Sequence, residues 1–558
     1  MVDGGDTSGM KPAAVHDGVM THGDKAATGI AHDPRGAAAR WIGLAAVAAL
    51  TFALTRIAVL NVFYTSGDMH DPGWFASVIW HNGWRLHGPP AFPGPFFSEH
   101  LVPLMWLANG LSFVPPLPKF DFYAACVAAI HALYAAGVYR AWLLSDHRVT
   151  AARASVAVLV GLAAAFSGVG IAALVLPHTE MAIPAFGLWF VIAMAERTYA
   201  RAACWFAACL MVREDAGLHL FMLLTLWAGV MGIRQRRLEP DIRWLLGFAF
   251  VALGYSAAAF LAKRLYFPAG DILFRSYLGD PPLRHVTMAF VRDRLRFYLL
   301  ERSYLTLPFA LTMFWAVLAR VPLLAVGAVA TLPWVSLSLI AVHPTPGTIS
   351  YYYGFPFWLS LAWPLVALRV WRDSGGPASG RPVRAAGVHG GWASGRWPYG
   401  LLLVASLVGW QGRLVVWPLK TDALGQSIFA HGETLRDRGR YQRFVDYFLA
   451  RRSLFGVTAF DQAVFGLLMD HAGRETWLET WRGKPPDTLI YYFGSFEFPS
   501  RVVPLLRSGV YDCVYAVPGT RLRMATKFPL DPRAVEGTPF VVETSAPGVR
   551  CLPGAVNE

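Results

Sequence analysis

The chain has 558 residues, 55% of them hydrophobic and only 15% charged, with a formal net charge of +13. Soluble domains carry about 25% charged residues, so this composition excludes an ordinary soluble protein. Its arginines stand in short segments beside long apolar runs, where they set topology, and this excludes a nucleic-acid partner as their explanation.

Residues 1–40 lack an apolar period and are expected to be a disordered cytoplasmic tail. The first apolar run begins at Trp41, too far along for a cleaved signal peptide, and is expected to stay as a signal anchor. A crossing needs about 20 residues. Spans are predicted near 41–63, 120–142, 154–176, 181–196, 200–212, 216–233, 243–262, 303–320, 322–341, 350–370 and 398–418. Residues 101–116, with Pro103, Asn109, Gly110, Pro115 and Pro116, are expected to lie on the outer surface as a juxtamembrane helix. Residues 41–371 thus form the main transmembrane domain and 372–397 a flexible cytoplasmic linker. Residues 398–418 form the final span and 419–558 a small periplasmic α/β domain. In that last part strand-like runs occupy 488–498, 510–517 and 521–527, and helix-like patterns 438–452 and 462–472. The fold class expected is an all-α polytopic membrane protein of about eleven spans, in a cell inner membrane, with a C-terminal α/β domain outside it.

Orientation follows from the short loops. Arg35 and Arg40 place the N-terminus inside, and Arg140, Arg148, Arg153, Arg197 and Arg201 fall inside in turn. So do Arg234, Arg236, Arg237 and Arg243, and later Arg369, Arg372, Arg381 and Arg384. The arginine-rich 263–302 loop falls outside against this trend, offset by Asp271, Asp280, Asp293 and Glu301. Cys126, Cys204 and Cys209 lie in apolar runs, where a thiol is a small hydrophobe. Cys513 and Cys551 lie in the tail and are expected to pair if that tail is periplasmic. No Cys/His spacing reads as a zinc site.

This topology gathers the unusual polar groups on one side. The first outer loop runs from Ser66-Gly67-Asp68-Met69-His70-Asp71-Pro72-Gly73-Trp74-Phe75 to Glu99-His100. Later turns carry Pro177-His178-Thr179-Glu180, then Arg213-Glu214-Asp215, then His343-Pro344-Thr345-Pro346 followed by Tyr351, Tyr352 and Tyr353. Ionisable groups at membrane depth are costly and usually face a cavity or a partner. Each cluster also has a plainer reading: Asp71 as a turn or helix cap, Glu99-His100 as an interfacial cap, His178 and Glu180 as a wet loop. Likewise, Arg213–Asp215 can be a salt-bridged turn and the tyrosines an aromatic belt.

In their order, Asp71-Pro-Gly-Trp-Phe with Trp80, Phe97-Ser-Glu-His100-Leu-Val-Pro103, Leu176-Pro-His178-Thr-Glu180 and Val212-Arg-Glu214-Asp215-Ala-Gly217 carry a resemblance over about residues 41–360. The chain resembles an uncharacterised bacterial family of predicted membrane proteins within the GT-C glycosyltransferase superfamily. The family pattern has Gln two residues after the Phe of the first motif, where this chain has Ser77. The resemblance implies a GT-C-like fold and a lipid-linked sugar donor, a sugar on a polyprenyl phosphate, taken from the outer leaflet. It also implies an acidic residue of the first outer loop as general base and cations or a divalent metal to stabilise the leaving phosphate. Carried onto this sequence, Asp71 is the candidate base and Asp68 its competitor. Glu99, His100, His178, Glu180, Arg213, His343 and Tyr352 are candidate substrate-binding residues, and Glu214 and Asp215 candidate metal ligands. No nucleotide-binding loop is present in the sequence. Two other classes share the charge pattern: a transporter or flippase of a lipid-linked or anionic molecule, and an assembly protein whose outer domain binds an envelope partner. Beyond the lipid-linked donor and membrane lipids, the sequence names no protein partner.

Overall fold

The computed structural model describes residues 34–529 apart from 62, 64–69, 85, 91, 93, 145–148, 268–276, 350, 375–396, 408–431, 472, 474–475 and 494–497, together with 541–542. The expected tail up to residue 33 and most of the linker lie outside the described residues, as do Asp68, the end of the last predicted span and Cys551.

The apolar runs form helices. In chain order these are α1 (Pro34–Asn61), α2 (His70–Ile79), α3 (Leu104–Ser112), α4 (Lys119–Leu143), α5 (Ala151–Ala165), α6 (Gly168–Val175), α7 (Ala182–Ala195) and α8 (Tyr199–Leu210). Then follow α9 (Ala216–Gln235), α10 (Pro240–Tyr266), α11 (Met288–Leu300) and α12 (Ser303–Ala319). Helical residues Pro322–Ile340 and the helices Phe355–Asp373 and Trp397–Leu407 complete the bundle. The first helix starts earlier than expected, at Pro34, because proline is favoured in a first helical turn.

Among the described residues, five helices are long and apolar enough to cross a membrane, or seven if each of two bent pairs counts as one span. Of the other predicted spans, 181–196, 200–212 and the described part of 398–418 form shorter helices, and 350–370 corresponds to the 19-residue helix Phe355–Asp373. One bend, of 47°, falls in the predicted 154–176 span, where Ser167 caps α6 by accepting from Gly170 N–H. The other, of 83°, sets α11 crosswise to α12. Exposed Trp106, Leu107 and Leu111 give α3 the apolar face expected of a juxtamembrane helix.

Helices α4 and α5 approach closely: a Cβ on Gly161 would stand 2.9 Å from the Ala135 carbonyl oxygen. At the end opposite the polar clusters, Arg140 pairs with Glu196 and Arg197 with Asp241 at 2.8 Å. There too, the Arg234 guanidinium sits 3.5 Å over the Trp371 ring.

The C-terminal lobe is α/β. Strands β1 (Thr458–Phe460), β2 (Thr488–Tyr492), β3 (Cys513–Ala516), β4 (Leu522–Thr526) and β5 (Val541–Val542) form a sheet in the order β1-β2-β4-β3-β5. Only β1 and β2 run parallel. Strand β1 was not apparent in the sequence because its three residues are too short to show alternation. A helix at Gly432–Ala450 flanks the sheet. Asp461 starts the helix Gln462–Leu468, accepting from Val464 N–H at 3.0 Å and Tyr492 N–H at 2.8 Å. Cys513 is in a disulfide, while Cys126, Cys204 and Cys209 are free thiols.

Candidate active site

The polar clusters come together where α6, α8 and α10 end and α7 and α9 begin. Leu176–Glu180 links α6 to α7, Arg213–Asp215 links α8 to α9, and Lys263 lies in the last turn of α10. Arg213 donates from Nη1 to Glu180 Oε1, with both side chains almost fully buried. Its Nε lies 3.3 Å from Asp215 Oδ1 and 4.0 Å from Glu214 Oε1. Glu214 is enclosed in turn: Oε2 accepts from Leu101 N–H at 2.9 Å, and Oε1 faces His100 Nδ1 at 3.3 Å and Lys263 Nζ at 3.6 Å. Lys263 also donates to the Glu99 carbonyl.

Burying carboxylates at this depth is tolerable only because cations and N–H groups compensate them. Three acids, one arginine and one lysine form a network whose Arg213–Glu180, Glu214–Leu101 and Glu214–Lys263 contacts tie separate segments together.

His178 joins this network to the first outer loop. Its Nδ1 meets Glu180 Oε2. One face stacks on Tyr352 at a centroid distance of 3.9 Å and an angle of 9°, and Phe75 of α2 approaches edge-on at 4.2 Å. Tyr352 stacks in turn on Tyr353 at 4.4 Å. Asp71 is half-buried in the first turn of α2, where the helix dipole favours a carboxylate. The phenols of Tyr123, Tyr352 and Tyr353 are among the groups that feel its charge. The Pro72-Gly73 turn expected from sequence is instead the start of a helix, which proline accommodates at its first turn.

The structure therefore places His100, His178, Glu180, Arg213, Glu214, Asp215 and Tyr352 in one assembly with Asp71 beside it. Glu99 enters through its backbone carbonyl, its own side chain being exposed. His343 is exposed, in a turn where its carbonyl accepts from Gly347 N–H. Glu214 and Asp215 do not fit the metal expectation, since both turn toward cationic side chains. Among the described residues no three His, Cys, Asp or Glu side chains are grouped as metal ligands.

Lys263 was missed from sequence. It reads as an ordinary cation at a span end, and the signal was its position at the polar end of the bundle, where a cation runs against the topology trend. The contact of Phe75 with His178 was also missed, because aromatic pairs between loops leave no mark on spacing.

No family model and no curated protein matches the chain. Four solved chains match it. One is ArnT from Cupriavidus metallidurans bound to undecaprenyl phosphate, 14% identical, covering 88% of this chain and 98% of that one, with a TM-score of 0.42.

Proposed function

We propose that the chain is a GT-C-type glycosyltransferase of the inner membrane, moving a sugar from a polyprenyl-phosphate donor to an envelope acceptor on the outer face. One observation supports this above others. The motif residues, separated by up to 114 positions in the His100–Glu214 contact, share one buried charged assembly beside a half-buried aspartate. In the reaction, Asp71 takes the proton of an acceptor hydroxyl as that oxygen bonds to C1 of the sugar. The C1–oxygen bond to phosphate breaks and its electron pair leaves with the polyprenyl phosphate. Arg213 and Lys263 are held by Glu180, Glu214 and Asp215 in the assembly beside Asp71, and their part in the reaction is to fix the loops that frame the site.

The direct test is purified protein incubated with a panel of polyprenyl-phosphate sugars. Formation of a glycosylated acceptor with release of polyprenyl phosphate is expected. Movement of the lipid across proteoliposomes without any transfer would replace this reading with a flippase.

The same reading puts the N-terminus in the cytoplasm and the C-terminal lobe in the periplasm, following the arginine bias of the loops. A reporter fused after residue 420 is expected to be active only when exported. Activity confined to the cytoplasmic reporter would invert the topology and move the assembly to the wrong leaflet.

A further inference from the structure

The C-terminal lobe and α2 share one hydrophobic core, in which Phe75 and Ala76 pack with Phe444, Phe465, Leu468 and Met469. Two contacts fix the register between them. A Cβ on Gly73 would stand 2.7 Å from the Gly466 carbonyl oxygen, so the two helices touch backbone to backbone. Beside that contact, Lys119 at the start of α4 pairs with Asp470 and donates to Ser77 Oγ at 3.2 Å. The Lys119 side chain is only 12% exposed. Burial alone would raise the Asp470 carboxyl, yet the Lys119 ammonium and the Ser77 hydroxyl hold it below its ordinary value. Ser77 lies on α2, six residues after Asp71.

Helix α2 is ten residues long, and the preceding residues 64–69 lie outside the described set. A helix of that length is marginal on its own in water and takes its stability from what packs on it. Two bodies hold it: the bundle, through His178 against Phe75, and the lobe, through Gly466, Phe465 and Asp470.

We infer that the C-terminal lobe is the positioning element of the candidate base: the Asp470–Lys119–Ser77 latch and the Gly73–Gly466 contact fix α2, and with it the place of Asp71. The catalytic meaning rests on the proposed glycosyl transfer, whereas the mechanical coupling does not. Asp470 and Ser77 are positioning residues, acting on Asp71 through α2.

The test uses the full chain in nanodiscs with two readouts, amide hydrogen exchange over residues 70–79 and the separate kcat and KM of transfer. In Asp470→Asn, exchange in α2 is expected to rise about tenfold, equivalent to about 1.4 kcal/mol of local opening, with α9 and α10 unchanged. The kcat falls while KM for the lipid donor stays the same, and Asp470→Glu restores both. Gly73→Ala, which wedges a methyl group against the Gly466 carbonyl, is expected to have the same signature and serves if Asp470→Asn fails to fold. Unchanged α2 exchange in either folded variant overturns the inference, whatever the activity. A rise in donor KM at constant kcat also overturns it, assigning the lobe to substrate binding. Increased α2 exchange in a protein with no transferase activity upholds the coupling and removes only the glycosyl-transfer reading.

Discussion

Asp71→Asn is expected to lower the rate of sugar transfer by about 10²–10⁴-fold, the usual cost of losing a general base, with expression and donor binding largely intact. The substitution keeps the size and the helix-start position of the side chain. It removes only the ability to accept a proton, so the loss should fall on kcat. Asp71 stands half-buried in the first turn of α2, near the phenols of Tyr352 and Tyr353. A carboxylate that served only to start the helix would lose little on this change, since asparagine caps helices as well as aspartate. The matched measurement is Asp68→Asn. Near-normal turnover in Asp71→Asn with an inactive Asp68→Asn transfers the role to Asp68. Full activity in both removes this loop from the chemistry.

Arg213→Ala is expected to destabilise the protein by about 3–5 kcal/mol, the penalty for stranding a buried charge. Arg213 is 6% exposed and Glu180 1%, and the guanidinium also faces Asp215 and Glu214. Its loss leaves three carboxylates around one site with Lys263 as the remaining fixed cation. Glu180→Gln should cost less, because the amide still accepts from Arg213. The double variant Arg213→Met with Glu180→Met is expected to recover part of the loss, because it removes one of the stranded carboxylates while Asp215 and Glu214 remain. Thermal unfolding in detergent, read as a double-mutant cycle, measures this. Single-variant losses below about 1 kcal/mol, the ordinary range for a point substitution, would mean that water reaches the cluster and that it is not the buried assembly described.

The assembly was largely legible before the fold, for a simple reason. Each motif interrupts or terminates an apolar run, and a chain that reverses at every crossing brings alternate interruptions to the same end. His100, His178, Glu180, Arg213, Glu214 and Tyr352 could be grouped on that ground alone. What the apolar pattern does not carry is the identity of the contacts. Nothing in the spacing pairs Lys119 with Asp470 across 351 positions, or sets Phe75 against His178. The bends escaped for a related reason. The hydropathy of 154–176 runs on through the break at Ser167, because both halves of the bent pair are apolar and one capping serine interrupts them. His343 showed the converse: a histidine among prolines at the polar end, which the fold leaves facing outward.

The separation of Arg213 from Glu180 along the chain has a consequence for biogenesis. Glu180 leaves the ribosome 33 residues before its partner, and Glu214 comes 49 residues before Lys263. Glu180 cannot meet Arg213, nor Glu214 meet Lys263, while its own hairpin is entering the bilayer. All four groups stand at helix ends, so each hairpin can insert with its charge left at the headgroup layer, at far less cost than in the hydrocarbon. Pairing then belongs to the later stage, when inserted helices associate laterally. A helix that docks one turn too high or too low leaves a carboxylate facing apolar side chains, and such a misassembled intermediate is penalised at once. The charges thus favour, during assembly, the helix register in which Arg213 meets Glu180 and Lys263 meets Glu214.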